Sequence, residues 1–153
     1  MAFGHKFEDR VGHTNHTAEN ANDRSPIFIQ FLEAVFQCQA QSASSFEFNE
    51  DLLLFLAKEV VDCRFGTFLC NNARERAMHG LSRKTPSVWS EVLHNRQQFT
   101  NPQYTPPQSD RDHLLLPEVS GASVRLWERF HLRDLSPIKL SAFDVSFVDQ
   151  PSH

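Results

Sequence analysis

The sequence predicts a mainly α-helical fold. Three observations carry that prediction. Apolar residues recur at helical spacing behind Ser25-Pro26, Asn49 and Thr85-Pro86; four prolines between Asn101 and Pro117 exclude a long regular element there; and strand-like alternation is weak and confined to the last residues.

Taken in order, residues 8–24 are polar, rich in His, Asn and Thr, and lack apolar periodicity, which predicts a long surface loop. Ser25-Pro26 then supplies a capping residue and a proline at the first helical position. Ile27, Phe28, Phe31, Leu32, Val35 and Phe36 follow on one face of an amphipathic helix. A second helix is announced by Asn49 as cap, with Glu50 and Asp51 at the positive end of its dipole and Phe48 and Leu53 at staple positions. Its apolar residues Leu52, Leu53, Phe55, Leu56 and Val60 exceed one narrow stripe, so the helix is expected in the interior with neighbours on two sides.

Phe65 to Leu69 predicts a turn entering a short helix. Asn71-Asn72 breaks it before a helix over Ala73 to His79 that Gly80 ends. Thr85-Pro86 repeats the cap-then-proline signal for a short helix carrying Val88, Trp89, Val92 and Leu93. A last helix is expected over Ser123 to Leu132, with Val124, Trp127 and Phe130 on one face and Pro137 limiting it. Around Phe143, Val145 and Phe147 the spacing allows a short strand. There is no internal repeat and no low-complexity tract.

A chain of 153 residues suffices for one ordinary domain, and 40% apolar against 22% charged residues, with 14 Phe and one Tyr, is a core-forming composition. A net charge of −4 and a pI near 6.0 argue against a nucleic-acid binder, whose affinity rests on a basic surface. Any anionic ligand must therefore meet a local basic cluster. Cys38, Cys63 and Cys70 are odd in number and lack metal-type Cys-x-x-Cys spacing. No signal peptide opens the sequence, and Leu52 to Leu56 is too short to span a bilayer, which together point to a reducing, cytoplasmic setting and no transmembrane segment. In that setting the sequon Asn15-His16-Thr17 reads as chance.

Other groupings yield to plainer readings. Cys70 to Arg76 satisfies the Cys-x5-Arg spacing of a phosphatase loop, yet it has no Gly where backbone N–H groups must turn inward. Glu75 would set a negative charge beside a dianion, so Cys70 is expected as a small buried residue with Arg74 and Arg76 on a solvated face. His13 and His16, with His5 nearby, lack further ligands at metal spacing, so no metal or other cofactor is expected. Ser87, Ser90 and His94 have no orienting acid or oxyanion loop and read as helix surface. The phenylalanines Phe28, Phe31, Phe36, Phe46, Phe48, Phe55, Phe65 and Phe68 read as core rather than as a base-stacking surface.

A set of ordered motifs adds up to a family. Phe3-Gly4-His5-Lys6-Phe7, Arg10, Gly12-His13, Ser25-Pro26-Ile27-Phe28, Phe46-Glu47-Phe48-Asn49-Glu50, Phe65 to Asn71, Ser87-Val88-Trp89-Ser90 and Asn101-Pro102-Gln103-Tyr104 follow one another along the chain. In this order they resemble the C-terminal part of a myotubularin phosphatase domain, from about Phe3 to about Leu132. The resemblance implies residues 1–135 as a partial phosphatase domain and residues 136–153 as an unassigned tail. It also implies a helical flank of an α/β cysteine-phosphatase-like fold whose sheet is largely missing from this chain.

Myotubularins remove the 3-phosphate from phosphatidylinositol 3-phosphate and phosphatidylinositol 3,5-bisphosphate. The chemistry depends on an upstream Cys-Ser-Asp-Gly-Trp-Asp-Arg loop in which a low-pKa thiolate attacks phosphorus while backbone N–H groups and an Arg hold the oxygens. These residues contain no such loop, so the expectation is a chain that begins inside a larger catalytic domain and is inactive alone. By resemblance, Lys6 and Arg10 stand where family members reach the second phosphate of the inositol headgroup. From spacing alone they read as a solvated i, i+4 pair beside Glu8 and Asp9. The alternative is an inactive regulatory module that docks through Phe46 to Leu69 onto an active myotubularin or another partner. Peripheral membrane association is implied only for the full-length parent.

Overall fold

The computed structural model describes residues 5–13, 24–109 and 114–133. These residues are mainly helical, and their one strand-like pairing is an antiparallel bridge between Phe48 and Thr100. The strand expected near Phe143 to Phe147 and the sequon at Asn15 lie outside the described residues.

Helix α1 (Ile27–Gln41) and helix α2 (Glu50–Asp62) pack against each other. As its broad apolar stripe requires, α2 is the interior element: Leu52, Leu53, Leu56, Ala57 and Val60 are all buried. The chain then passes through a 3-10 turn at Gly66–Phe68 into four short helices: α3 (Ala73–Met78), α4 (Leu81–Lys84), α5 (Val88–His94) and α6 (Arg96–Phe99). The last of these covers the second side of α2 and buries Phe99. A single turn, α7 (Glu128–His131), completes the described fold.

One buried charge lies within this apolar interior. The Glu59 side chain is wholly inaccessible, and Arg64 grips it with two parallel hydrogen bonds, one of them Nε to Oε2 at 2.7 Å. A carboxylate without water needs such a partner, and the fork of a guanidinium matches both of its oxygens. The bond to Glu59 is also the main reason the Arg64 pKa is raised.

Of the expected side-chain caps, those of α1 and α2 are not made and that of α5 passes to another residue. The Asn49 amide crosses the fold instead of capping α2, donating to the carbonyls of Gln98 (2.8 Å) and Thr100 (3.3 Å). Asn101 complements it, with its amide donating to the carbonyls of Ala43 (2.7 Å) and Phe46 (2.8 Å). Helix α1 starts after Pro26, which takes the cap position and has no side-chain acceptor to offer, while the Ser25 N–H donates to the carbonyl of Arg10. The cap of α5 is Ser87 rather than Thr85, whose hydroxyl turns back to the Leu81 carbonyl. At α3, where the sequence predicts a break at Asn71-Asn72, Asn72 also caps the helix: its side chain accepts from Glu75 N–H at 3.0 Å, and the Glu75 carboxylate reaches back to the Asn71 N–H at 2.8 Å. Gly80 follows it with φ at +62°.

The helix expected over Ser123 to Leu132 shrinks to α7. Competition for the backbone of Arg125 explains the difference. Gln37 and Gln41 sit one turn apart on α1, and each side-chain amide pairs with both backbone groups of one residue: Gln37 with Arg125 (2.6 and 3.0 Å) and Gln41 with Glu118 (3.1 and 2.8 Å). Groups bonded sideways to α1 cannot also close a helical turn. The strap so formed delivers Trp127, which is fully buried, stacked between Phe36 and Phe130 at centroid distances of 5.2 and 4.8 Å, and donates Nε1–H to Glu50 at 2.9 Å. Arg129 bonds both Glu50 and Asp51 beside it.

Candidate functional site

Residues 6–12 form a wound turn, so the surface loop expected over residues 8–24 is instead wound over its first five residues. Arg10 N–H donates to the Lys6 carbonyl at 3.0 Å, and the turn then widens as His13 N–H reaches the Glu8 carbonyl at 3.2 Å. The first of these bonds spans one helical turn, so Lys6 and Arg10 stand above one another, as their spacing predicts.

Four attachments fix this turn to the body. The Phe7 ring meets Phe28 and Phe68 edge-on, each at 5.2 Å. Asp9 and Asn71 form a reciprocal pair, Asp9 N–H to Asn71 Oδ1 and Asn71 Nδ2 to Asp9 Oδ1, both at 3.0 Å. His13 Nε2 lies 2.7 Å from the Val60 carbonyl, which can only accept, so that nitrogen carries the proton. The fourth tie is Ser25 N–H to the Arg10 carbonyl at 3.0 Å. A basic turn held in this way loses little further freedom on meeting an anion.

The two charges differ in surroundings. Lys6 is 63% exposed, with Nζ 3.8 Å from Asp9 Oδ2, a contact long enough to leave the ammonium largely to solvent. Arg10 is half-buried and lines a cleft of about 280 Å³ whose walls are Val11, Pro26, Phe28, Ile29, Val60 and Val61. Arg24 lines the same cleft, a residue that the sequence placed at the end of a surface loop. Neither periodicity nor a motif links the two arginines; the Ser25 bond to Arg10 brings them together. On the other side of Lys6, burial lowers the His5 pKa, with the Arg10 charge adding to the effect.

The remaining candidates acquire structural roles. Cys70 is half-buried in the left-handed conformation (φ 58°), not a fully buried core residue, and its thiol pKa is raised by burial and then by Glu8 and Glu75. An attacking thiolate requires the opposite shift. Arg76 is half-buried and donates to the Leu69 carbonyl instead of pointing into solvent. It faces a larger hollow of about 570 Å³, where Thr67, Thr85 and Ser87 already spend their hydroxyls on backbone bonds. Phe31, expected in the core, is 57% exposed. His16 lies outside the described residues, and His13 is committed to Val60. Among the described residues no helix is long and apolar enough to cross a membrane.

Comparison with known proteins bears on this geometry. Residues 1–77 match the myotubularin-like phosphatase domain. Over 133 residues, 87% of the chain, the sequence is 40% identical to phosphatidylinositol-3,5-bisphosphate 3-phosphatase MTMR2 of Mus musculus, of which the match covers 20%. It is 39% identical over the same length to myotubularin of Xenopus laevis, covering 21% of that protein. The chain thus spans about a fifth of the length of these curated relatives. Matching half of its length to the domain and most of its length to these relatives, the chain belongs to the myotubularin family.

Proposed function

We propose that this chain is the C-terminal helical part of a phosphatidylinositol 3-phosphate and phosphatidylinositol 3,5-bisphosphate 3-phosphatase domain, with Lys6 and Arg10 as an accessory pair for the second phosphate. The observation that carries the reading is the anchored turn, which stacks two cations one helical turn apart, the second of them lining a cleft. Residues 1–135 belong to the domain and 136–153 form a tail outside it. The full-length parent is cytoplasmic and associates peripherally with the membrane carrying its substrate.

These 153 residues do not hydrolyse phosphoinositides by themselves. They contain no Cys-Ser-Asp-Gly-Trp-Asp-Arg loop, and the one Cys-x5-Arg spacing in them, at Cys70, carries a thiol whose pKa is shifted upward. Two measurements test the reading. Phosphate release from phosphatidylinositol 3,5-bisphosphate should stay at background; release that vanishes in Cys70→Ser would overturn the assignment of inactivity. In an isotope-labelled chain, inositol 1,3,5-trisphosphate should shift the amide signals of residues 6–12 at millimolar concentration. The double substitution Lys6→Gln/Arg10→Gln should abolish those shifts. Shifts that persist in the double variant would remove the pair from the site.

A further inference from the structure

The cleft beside Arg10 contains a second guanidinium that the sequence does not announce. Arg24 is held there from two directions. The backbone bond from Ser25 N–H to the Arg10 carbonyl fixes its Cα next to Arg10, and its side chain lies flat across Gly12. A Cβ on Gly12 would sit 2.6 Å from Arg24 Nε and 2.9 Å from its Cζ, and the Gly12 φ of +79° already disfavours any other residue. The absence of a side chain at position 12 is therefore what seats the Arg24 guanidinium.

We infer that Arg24 is a further binding residue of the basic turn, positioned by Gly12, and that it and Arg10 rim a cleft for a phosphate borne on a small polyol ring. This rests on the reading of Lys6 and Arg10 as an anion-binding pair. The lining fits the ligand. Arg10 and Arg24, both in the lining, carry the forked donors that suit phosphate oxygens, and the walls of Pro26, Phe28, Ile29 and Val60 offer an apolar surface to the C–H face of a cyclitol. At about 280 Å³ the cleft is at the small end for ligand sites and suits one ring or less rather than an extended chain. The same chemistry is presented by a lipid headgroup and by a free inositol phosphate.

The test is a set of titrations on the whole chain, with thermal melting confirming that each variant folds. Arg24→Gln should weaken binding of inositol 1,3,5-trisphosphate about tenfold, the size of one lost charge-assisted contact. Gly12→Ala should cause at least that loss, because it unseats the arginine and, at φ +79°, also strains the turn that carries Arg10. Adding Arg24→Gln to Gly12→Ala should cost less than it does in the unsubstituted chain, because the guanidinium is already displaced. Inorganic phosphate should bind more weakly than the inositol phosphate; equal affinity would overturn the polyol assignment. Co-sedimentation with phosphatidylcholine vesicles containing phosphatidylinositol 3,5-bisphosphate should show the same dependence on Arg24 when the ligand is the lipid. A response confined to the soluble compound assigns the site to the free polyphosphate. Unchanged affinity in Arg24→Gln, alongside a loss in Lys6→Gln/Arg10→Gln, would overturn this inference and leave the basic pair standing. No response from the unsubstituted chain would overturn both.

Discussion

The interior around α2 and the basic turn at residues 6–12 are held by different kinds of force. Around α2 the anchor is apolar area: Leu32, Leu53, Leu56, Val60 and Trp127 are nearly or wholly removed from water. At the turn Phe7 and Val11 reach the apolar core, and the rest is polar cross-linking by Asp9 with Asn71, His13 with Val60, and Ser25 with Arg10. Burial is strong and non-directional, whereas hydrogen bonds add little net stability but fix orientation. The comparison teaches that the interior supplies stability while the turn supplies geometry. A binding surface needs the second as much as the first.

The largest blow to the stability side of that contrast should come from Trp127→Ala. It removes a stacked, fully buried indole and leaves Glu50 without one of its donors, so a loss of about 3–5 kcal/mol is expected in denaturant unfolding. A loss below about 1 kcal/mol would mean that the strap at 114–127 is not integral to the fold.

A smaller effect of another kind is expected from Asn71→Leu. It breaks both hydrogen bonds to Asp9 and should cost about 1–3 kcal/mol. The cost should concentrate locally, as faster amide exchange at residues 6–12 than in α2. Equal acceleration in both regions would erase the distinction between anchor and geometry.

The smallest effect follows from His5. Its folded-state pKa lies below the ordinary value of 6.5, first through burial and then through the Arg10 charge. Between these two values the unfolded chain binds more protons, so stability should be constant above the ordinary value and fall as pH drops toward the folded one. His5→Leu should flatten that decline in a melting series from pH 7.5 to 5. An unaltered profile would assign the dependence to other groups.

Much of this molecule is legible in its sequence, though unevenly. The interior position of α2 follows from an apolar stripe too wide for one neighbour, and the break at Asn71-Asn72 before α3 and its end at Gly80 follow from the residue types there. Cap positions misled where a better partner existed elsewhere: Asn49 satisfies the carbonyls of Gln98 and Thr100 and leaves α2 uncapped by its side chain. The last helix misled for the same reason, since Gln37 takes both backbone groups of Arg125. In the site, the spacing of Lys6 and Arg10 was readable, but the approach of Arg24 was not.

By itself, then, the sequence determined the helical class, the order of the elements, the interior helix, the resemblance to myotubularins and one basic pair. These depend on local periodicity, composition and motif order, all of which are written in neighbouring residues. Tertiary structure decided which polar side chains cap and which cross-link, how far the last helix extends, and that Arg24 lies over Gly12 beside Arg10. Those outcomes depend on competition between hydrogen-bonding partners distant in the chain, and that competition is resolved only when burial brings them together.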